Sequence, residues 1–271
     1  KLTDVVLGKN VTSIHPGALR DCVRLRRVTM PSGLREIGEY AFRGCRSLVT
    51  VILPRSVYSV DVGAFQDCTS LKKVGLSAEL RHLGGFAFAG CEALEEVSFP
   101  DSLNAIHRST FFRCHSLQHM EIPESVQTVG SYAFAQCTAL SELTLGEDVT
   151  YIGRGAFSEC HALRAFRIPA KVRYLGNYLF SCCDALEEVQ LPDTVTAFGN
   201  YAFCDCKSLR QIALPACLNR IGQGCFLHCA SIREISLPDG VESIGKQAFA
   251  YCTALQSVRL GSKLTALEAE T

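Results

Sequence analysis

The sequence predicts an α/β-type repeat solenoid, an arc of stacked coils with a parallel sheet on one face and short helical or irregular turns on the other. Two observations lead to this fold class. Cysteine recurs every 23 residues from Cys22 to Cys252 without an insertion, and leucine keeps the same step from Leu2 onwards. One repeat is also too short to bury its own apolar face, so equivalent residues must form a shared core between stacked coils.

The repeat fills the whole chain. Counting from Leu2, residues 1–271 form one array of eleven full 23-residue repeats and a truncated twelfth over 255–271. The first repeat is ordinary and the last stops short, whereas repeat arrays normally end in polar capping units. We therefore expect the chain to be a fragment of a longer array.

Each repeat begins with a strand. In the segment 48–53, Val51 and Leu53 alternate inward as a strand requires, and Pro54 ends the strand because proline cannot donate to a ladder. Parallel strands of this kind, about 4.8 Å apart, are expected to form one long sheet along one face.

A second short extended segment follows, and glycine comes next in eight of the eleven full repeats. Such a position indicates a positive φ or a close approach of two backbones. The three exceptions tolerate the left-handed region better than most residues, so we expect them to serve the same turn; they are His15, Asp61 and His107.

The Ala-Phe-x-x-Cys segment places alanine and cysteine four residues apart, which suits one helical turn facing inward. Its phenylalanines recur every 23 residues from Phe42 to Phe249 and are expected to stack as an aromatic spine. Aromatic residues also recur two positions before this phenylalanine, and form either a partly exposed row or a cover for the core edge: Tyr40, Phe86, Tyr132, Tyr178 and Tyr201.

The eleven periodic cysteines could be buried free thiols, metal ligands or disulfide partners. Buried free thiols, acting as small apolar side chains, fit one thiol per coil. A metal site needs four converging ligands, which a linear ladder does not supply. Disulfides between coils have a suitable spacing, but every Cβ would point the same way. Among the remaining four cysteines, Cys225 is expected to be buried, whereas Cys182 and Cys204 are expected to be the most exposed.

Composition and motifs exclude several functional classes. The formal net charge is zero, so there is no overall attraction to nucleic acid. No stretch approaches the roughly 20 apolar residues of a membrane span, and residues 1–4 do not resemble a signal peptide. A phosphate-binding loop and a nucleophile elbow are both missing from the sequence. We therefore expect no enzyme activity, no cofactor, no metal and no nucleic-acid partner.

The outward positions of the first strand offer the broad surface that solenoids use for binding. Basic residues dominate the early repeats on this surface and acidic residues follow them, a banding that could orient a protein partner. The predicted binding residues are Arg26, Arg27, Lys72, Lys73, Glu95, Glu96, His119, Glu121, Glu142, Arg164, Arg167, Glu187, Glu188, Arg210 and Arg233.

The segment 117–137, LQHMEIPESVQTVGSYAFAQC, resembles the BspA-like class of leucine-rich repeats, and the resemblance covers essentially the whole chain. It implies a right-handed leucine-rich-repeat horseshoe and a surface adhesion protein, at the cell surface or secreted. The implied partner is a protein ligand, such as a host matrix or cell-surface protein. The class has no catalytic residues to transfer.

Two other functions stay open at this point. An intracellular scaffold or assembly subunit is favoured by the many unpaired thiols, which fit a reducing, cytoplasmic location better than an oxidising one. A structural spacer would leave binding to other domains. The sequence does not specify the oligomeric state.

Overall fold

The computed structural model describes residues 2–268 and 270–271. Each 23-residue repeat makes one coil, here called a rung, so that rung 1 covers 2–24 and rung 12 starts at 255. A rung has three sides. We call them the first-strand face, the second-strand face and the turn face.

The first-strand face carries strands that pair in parallel with a register of one repeat, as for Lys73 and Glu96. Its strands are β1 (Asp4–Val6), β3 (Arg27–Thr29), β5 (Thr50–Ile52), β7 (Lys73–Gly75), β9 (Glu96–Ser98), β11 (His119–Ile122), β13 (Glu142–Leu145), β15 (Ala165–Arg167), β17 (Glu188–Gln190), β20 (Glu234–Ser236) and β22 (Ser257–Arg259).

The second-strand face carries shorter strands, also parallel and also offset by one repeat. These are β2 (Ser13–Ile14), β4 (Glu36–Ile37), β6 (Ser59–Val60), β8 (His82–Leu83), β10 (Ala105–Ile106), β12 (Thr128–Val129), β14 (Tyr151–Ile152), β16 (Tyr174–Leu175), β18 (Ala197–Phe198), β19 (Arg220–Ile221) and β21 (Ser243–Ile244).

The strands do not form the one long sheet that we predicted. In the part of the chain described, they divide into eight sheets of two to four strands. Both strand ladders are interrupted between rungs 7 and 8, where β13 does not pair with β15 and β14 does not pair with β16. At this interface the Phe166 ring packs 4.8 Å from Phe157 and 5.0 Å from Phe180, where most rungs bury a smaller aliphatic side chain. Further gaps in pairing lie between β3 and β5, β8 and β10, and β9 and β11.

The turn face contains no helix among the described residues, so the predicted helical turns are wrong and the alternative of irregular turns is correct. Backbone N–H groups there alternate between two uses. Phe134 donates to Ala156 of the next rung at 2.9 Å, whereas Ala135 donates back to Tyr132 at 3.2 Å. Since every other N–H group leaves the rung, the N–H groups needed for a helical pattern are not available.

Two residues of each turn have a positive φ, at the equivalents of Tyr132 (58°) and Gln136 (61°). The repeat glycine has none, and neither do its substitutes His15, Asp61 and His107, so the left-handed interpretation of that position is wrong. The alternative, close backbone approach, is correct. A Cβ on Gly84 would lie 2.5 Å from the backbone nitrogen of Val62.

The core follows the predicted pattern closely. The spine phenylalanines stack with ring centroids 5.0–5.9 Å apart. Beside them, ten cysteine thiols from Cys45 to Cys252 each donate to a carbonyl of the preceding rung at 3.0–3.3 Å. The acceptor is a spine phenylalanine in every case except that of Cys45, which donates to Leu19. The buried thiol ladder is confirmed from Cys45 to Cys252, whereas Cys22 of rung 1 is only half-buried.

Removing one ring from the middle of the spine tests this packing. Phe134→Ala is expected to lower the free energy of unfolding by about 3–5 kcal/mol, because Phe134 is fully buried between two stacked rings. Urea unfolding followed by circular dichroism measures the loss. Phe86→Ala, at a half-buried turn position, is the control and should cost clearly less. Equal losses in both variants would contradict the packing argument.

Candidate functional site

The fifteen predicted binding residues all lie on the first-strand face, and every one of them is exposed. Strand geometry explains this, because outward positions alternate with core positions such as Val74 and Val189. The structure therefore places the predicted set on one continuous side of the solenoid. Whether that side binds a partner stays a prediction.

The charge bands are not two separate zones, because neighbouring rungs pair their charges. Lys72 lies 3.2 Å from Glu95, and Lys73 lies 2.9 Å from Glu96. Arg27 contacts Asp4 at 2.6 Å, and its hydrogen bond lowers the pKa of that carboxyl. Further pairs join His119 to Glu142 and Arg167 to Glu147. Surface pairs of this kind add at most about 1 kcal/mol each, but they leave less free charge for a partner.

Unpaired charge is concentrated in the second half of the face. Of the fifteen residues, seven make no ion pair within the described part of the chain, and five of these lie in rungs 8–11. The seven are Arg26, Glu121, Arg164, Glu187, Glu188, Arg210 and Arg233.

Two open grooves lie on the same half of the face. One, of about 770 Å³, is centred on Ala165 where the ladder between β13 and β15 is interrupted. The other, of about 790 Å³, contains Gln211 and Ala213, in the one full rung without an assigned first strand among the described residues. Glu188 lines both grooves. Small outward alanines and missing strand pairing together create these depressions.

The cysteines outside the ladder differ from our expectation. Cys225 is buried as predicted, but Cys204 is buried too and Cys182 is only half-exposed. Cys217 is the one cysteine classed as exposed among the described residues. Burial raises the pKa of the ladder thiols, to about 12 for Cys137. The ladder therefore consists of neutral thiols, which are poor nucleophiles.

Histidines on the turn face pair with carboxylates, which sequence reasoning missed. His161 lies 2.8 Å from Asp184, and His228 lies 3.1 Å from Asp205. Each pair joins residues one repeat apart, so the repeat register could have identified it. Among residues 2–268 and 270–271, no three side chains of metal-binding type converge.

The row of aromatic residues before the spine phenylalanine is half-exposed at all five positions. The rings of this row also pack against the backbone of the neighbouring rung, which fits the second expected role, a cover for the core edge. A Cβ on Gly155 would lie 2.6 Å from the Tyr132 ring. Sequence reasoning missed Tyr151 and Tyr174, which are 53% and 46% exposed on the second-strand face beside this row. Reading the outward column of the second strand would have found them.

The stacked 23-residue rungs, the leucine-lined core and the parallel strands define a leucine-rich-repeat protein. The family model of the BspA type leucine rich repeat region matches in six copies over residues 1–117, 63–187 and 174–271. The chain belongs to this family. A search of curated proteins gives no match.

Two solved bacterial structures are similar to this chain. A leucine-rich repeat protein from Bacteroides ovatus is 27% identical with a TM-score of 0.80, over 97% of this chain and 74% of that one. A leucine rich cell surface protein from Faecalibacterium prausnitzii is 28% identical with a TM-score of 0.63, over 95% and 79%. Within the described residues, no helix has the length and apolarity of a membrane span.

Thiol labelling tests the assignment of cysteine exposure. With N-ethylmaleimide at neutral pH, the folded protein should be modified fast at Cys217 and more slowly at Cys22 and Cys182, because the other thiols are buried. Mass spectrometry after a time course reads the sites, and Cys217→Ser should remove the fast phase. In urea all fifteen cysteines should react. Fast labelling of Cys137 in the folded protein would count against the buried ladder.

The raised thiol pKa values also predict a loss of stability in alkali. Burial raises the pKa of Cys137 from 9.0 to about 12, so its stabilising contribution is complete below pH 9 and is lost as the pH rises towards 12. In the variant Cys137→Ser, the serine hydroxyl that replaces the thiol does not ionise in this pH range. Between pH 9 and 12 the wild type should therefore lose about 1.4 kcal/mol more than the variant per pH unit.

Urea unfolding under a reducing agent measures both proteins along this pH series. Between pH 6 and 8 the difference between wild type and Cys137→Ser should be constant, which serves as the internal control. A difference that also stays constant up to pH 11 would refute the thiol argument.

Proposed function

We propose that the chain is a non-catalytic protein-binding module of a cell surface, which presents its first-strand face to a macromolecular partner. The observation that carries the proposal is the form of that face: an extended, exposed surface with shallow grooves. Solenoids typically bind through such surfaces, since one partner can contact many rungs. The cell-surface description of the Faecalibacterium prausnitzii relative supports the location.

Within this face, rungs 8–11 are the proposed contact region. The unpaired Arg164, Arg210 and Arg233 lie there together with Glu187 and Glu188, next to the two grooves. Arginine is enriched among residues that dominate binding energy, whereas a charge already paired within the protein must first lose its partner. The mixed signs favour a protein ligand over a uniformly charged polymer.

Two double variants with the same net charge test the proposal. Arg210→Glu with Arg233→Glu changes the first-strand face, and Arg173→Glu with Arg220→Glu changes two exposed arginines of the second-strand face. Surface plasmon resonance on a panel of immobilised matrix proteins and epithelial cell-surface extracts measures binding. The first variant should bind about tenfold more weakly than the wild type, and the second should retain binding. Equal binding by the wild type and the first variant would refute the proposed face.

A further inference from the structure

A second surface has a composition unlike the rest of the chain. It consists of the second-strand face and the adjoining edge of the turn face in rungs 5–10, here called the tyrosine–arginine flank. Five of the eight tyrosines lie on it: Tyr132, Tyr151, Tyr174, Tyr178 and Tyr201. Its charged residues are arginines, Arg108, Arg154, Arg173 and Arg220, and the segments 104–110, 127–133, 150–156, 173–179, 196–202 and 219–225 contain no Asp or Glu.

The four arginines are exposed and make no ion pair within the described residues. Two carboxylates farther along the turn face already have basic partners, since Asp184 contacts both His161 and Lys207 and Asp205 contacts His228. In a chain of zero net charge, the flank is therefore a local concentration of positive charge.

Several of these side chains are held in place before any partner arrives. The Nε of Arg154 donates to the hydroxyl of Tyr132 at 2.7 Å, and its guanidinium lies 4.6 Å above the ring of Tyr178. That ring stacks on Tyr201 with centroids 5.1 Å apart. A chain of contacts thus crosses rungs 6 to 9. Binding through fixed side chains loses less conformational entropy than binding through free ones.

Among the polar groups of the flank, the asparagine amides and the guanidinium groups have hydrogen-bond donors available. The Oδ1 of Asn177 accepts from the backbone N–H of Asn200 at 2.8 Å, and Asn200 accepts likewise from Gln223 at 3.0 Å. Both amide oxygens are thereby used, which leaves the NH₂ groups free to donate. Guanidinium groups donate only. A matching partner must supply acceptors and negative charge.

We propose that the tyrosine–arginine flank binds an acidic polypeptide segment, whose Asp and Glu carboxylates pair with the arginines. Tyrosine, arginine and asparagine are the residues that protein-recognition surfaces favour, and lysine, which such surfaces avoid, does not occur in the segments named above. Base stacking by a nucleic acid needs open aromatic faces, and the Tyr178 ring offers none, because Arg154 covers one of its faces and Tyr201 covers the other.

A random peptide display library selected on the immobilised chain tests the partner class. The selected peptides should be rich in Asp and Glu. Measured by fluorescence anisotropy, they should bind Arg210→Glu/Arg233→Glu like the wild type and bind Arg173→Glu/Arg220→Glu at least about tenfold more weakly. Peptides without an acidic excess, or equal binding to both double variants, would overturn the proposal. The double variant that should weaken binding here, Arg173→Glu/Arg220→Glu, is the control in the test of the first-strand face, and Arg210→Glu/Arg233→Glu is the control here. Failure of one proposed face therefore does not imply failure of the other.

Two further measurements complete the test. Heparin and oligothymidine are titrated against the same proteins; flank-dependent binding of either polymer without binding of acidic peptides would overturn the polypeptide assignment. Arg154→Lys keeps the charge but removes the planar guanidinium that Tyr132 and Tyr178 hold. We expect it to weaken peptide binding about fivefold; unchanged binding would overturn the claim that the held guanidinium takes part.

Discussion

Backbone hydrogen bonds on the turn face are the constraint on which the solenoid depends. Three N–H groups per rung donate to the next rung at every interface from rung 1 to rung 11, whereas both strand ladders have gaps. This alternation requires two left-handed residues per turn, and non-glycine residues there cost about 1–2 kcal/mol each. Tyr132 and Gln136 occupy such positions. Since the turn face holds the rungs together, the strand faces can lose pairing without loss of the stack.

The interruptions are therefore where the fold can accommodate variation. Phe166 packs between Phe157 and Phe180 in the core of rungs 7 and 8, and the strand pairing on both strand faces is absent there. On the first-strand face the groove lined by Ala165 lies at this interface. On the second-strand face Tyr151 and Tyr174 lie on either side of the gap and are both exposed. Surface features on two sides of the molecule thus coincide with this interruption of strand pairing.

The sequence alone predicts the structural features that depend on the 23-residue period. Register, the stacked rings from Phe42 to Phe249 and the buried thiols all follow from the 23-residue step. It does not predict the turn conformation, since Ala-Phe-x-x-Cys has helical spacing and only the hydrogen bond from Phe134 to the next rung reveals a different structure. The sequence places Lys72 in a basic band and Glu95 in an acidic band one repeat later, and only the side-chain positions show that the two charges pair. The gaps in strand pairing do not follow from the period and become visible only in the coordinates.

The thiol ladder bears on location as well as on packing. Many free cysteines suggest a reducing compartment when thiols are accessible. Here the Cys137 thiol is fully buried, donates to the carbonyl of Phe111 and has a raised pKa, so little thiolate is available to an oxidant. At this position the cysteine thiol donates a hydrogen bond to a backbone carbonyl, and the small side chain packs in the core. Neither role depends on redox conditions. The number of cysteines is therefore no argument against a cell-surface module, and the composition of the exposed faces becomes the better guide to where this protein works.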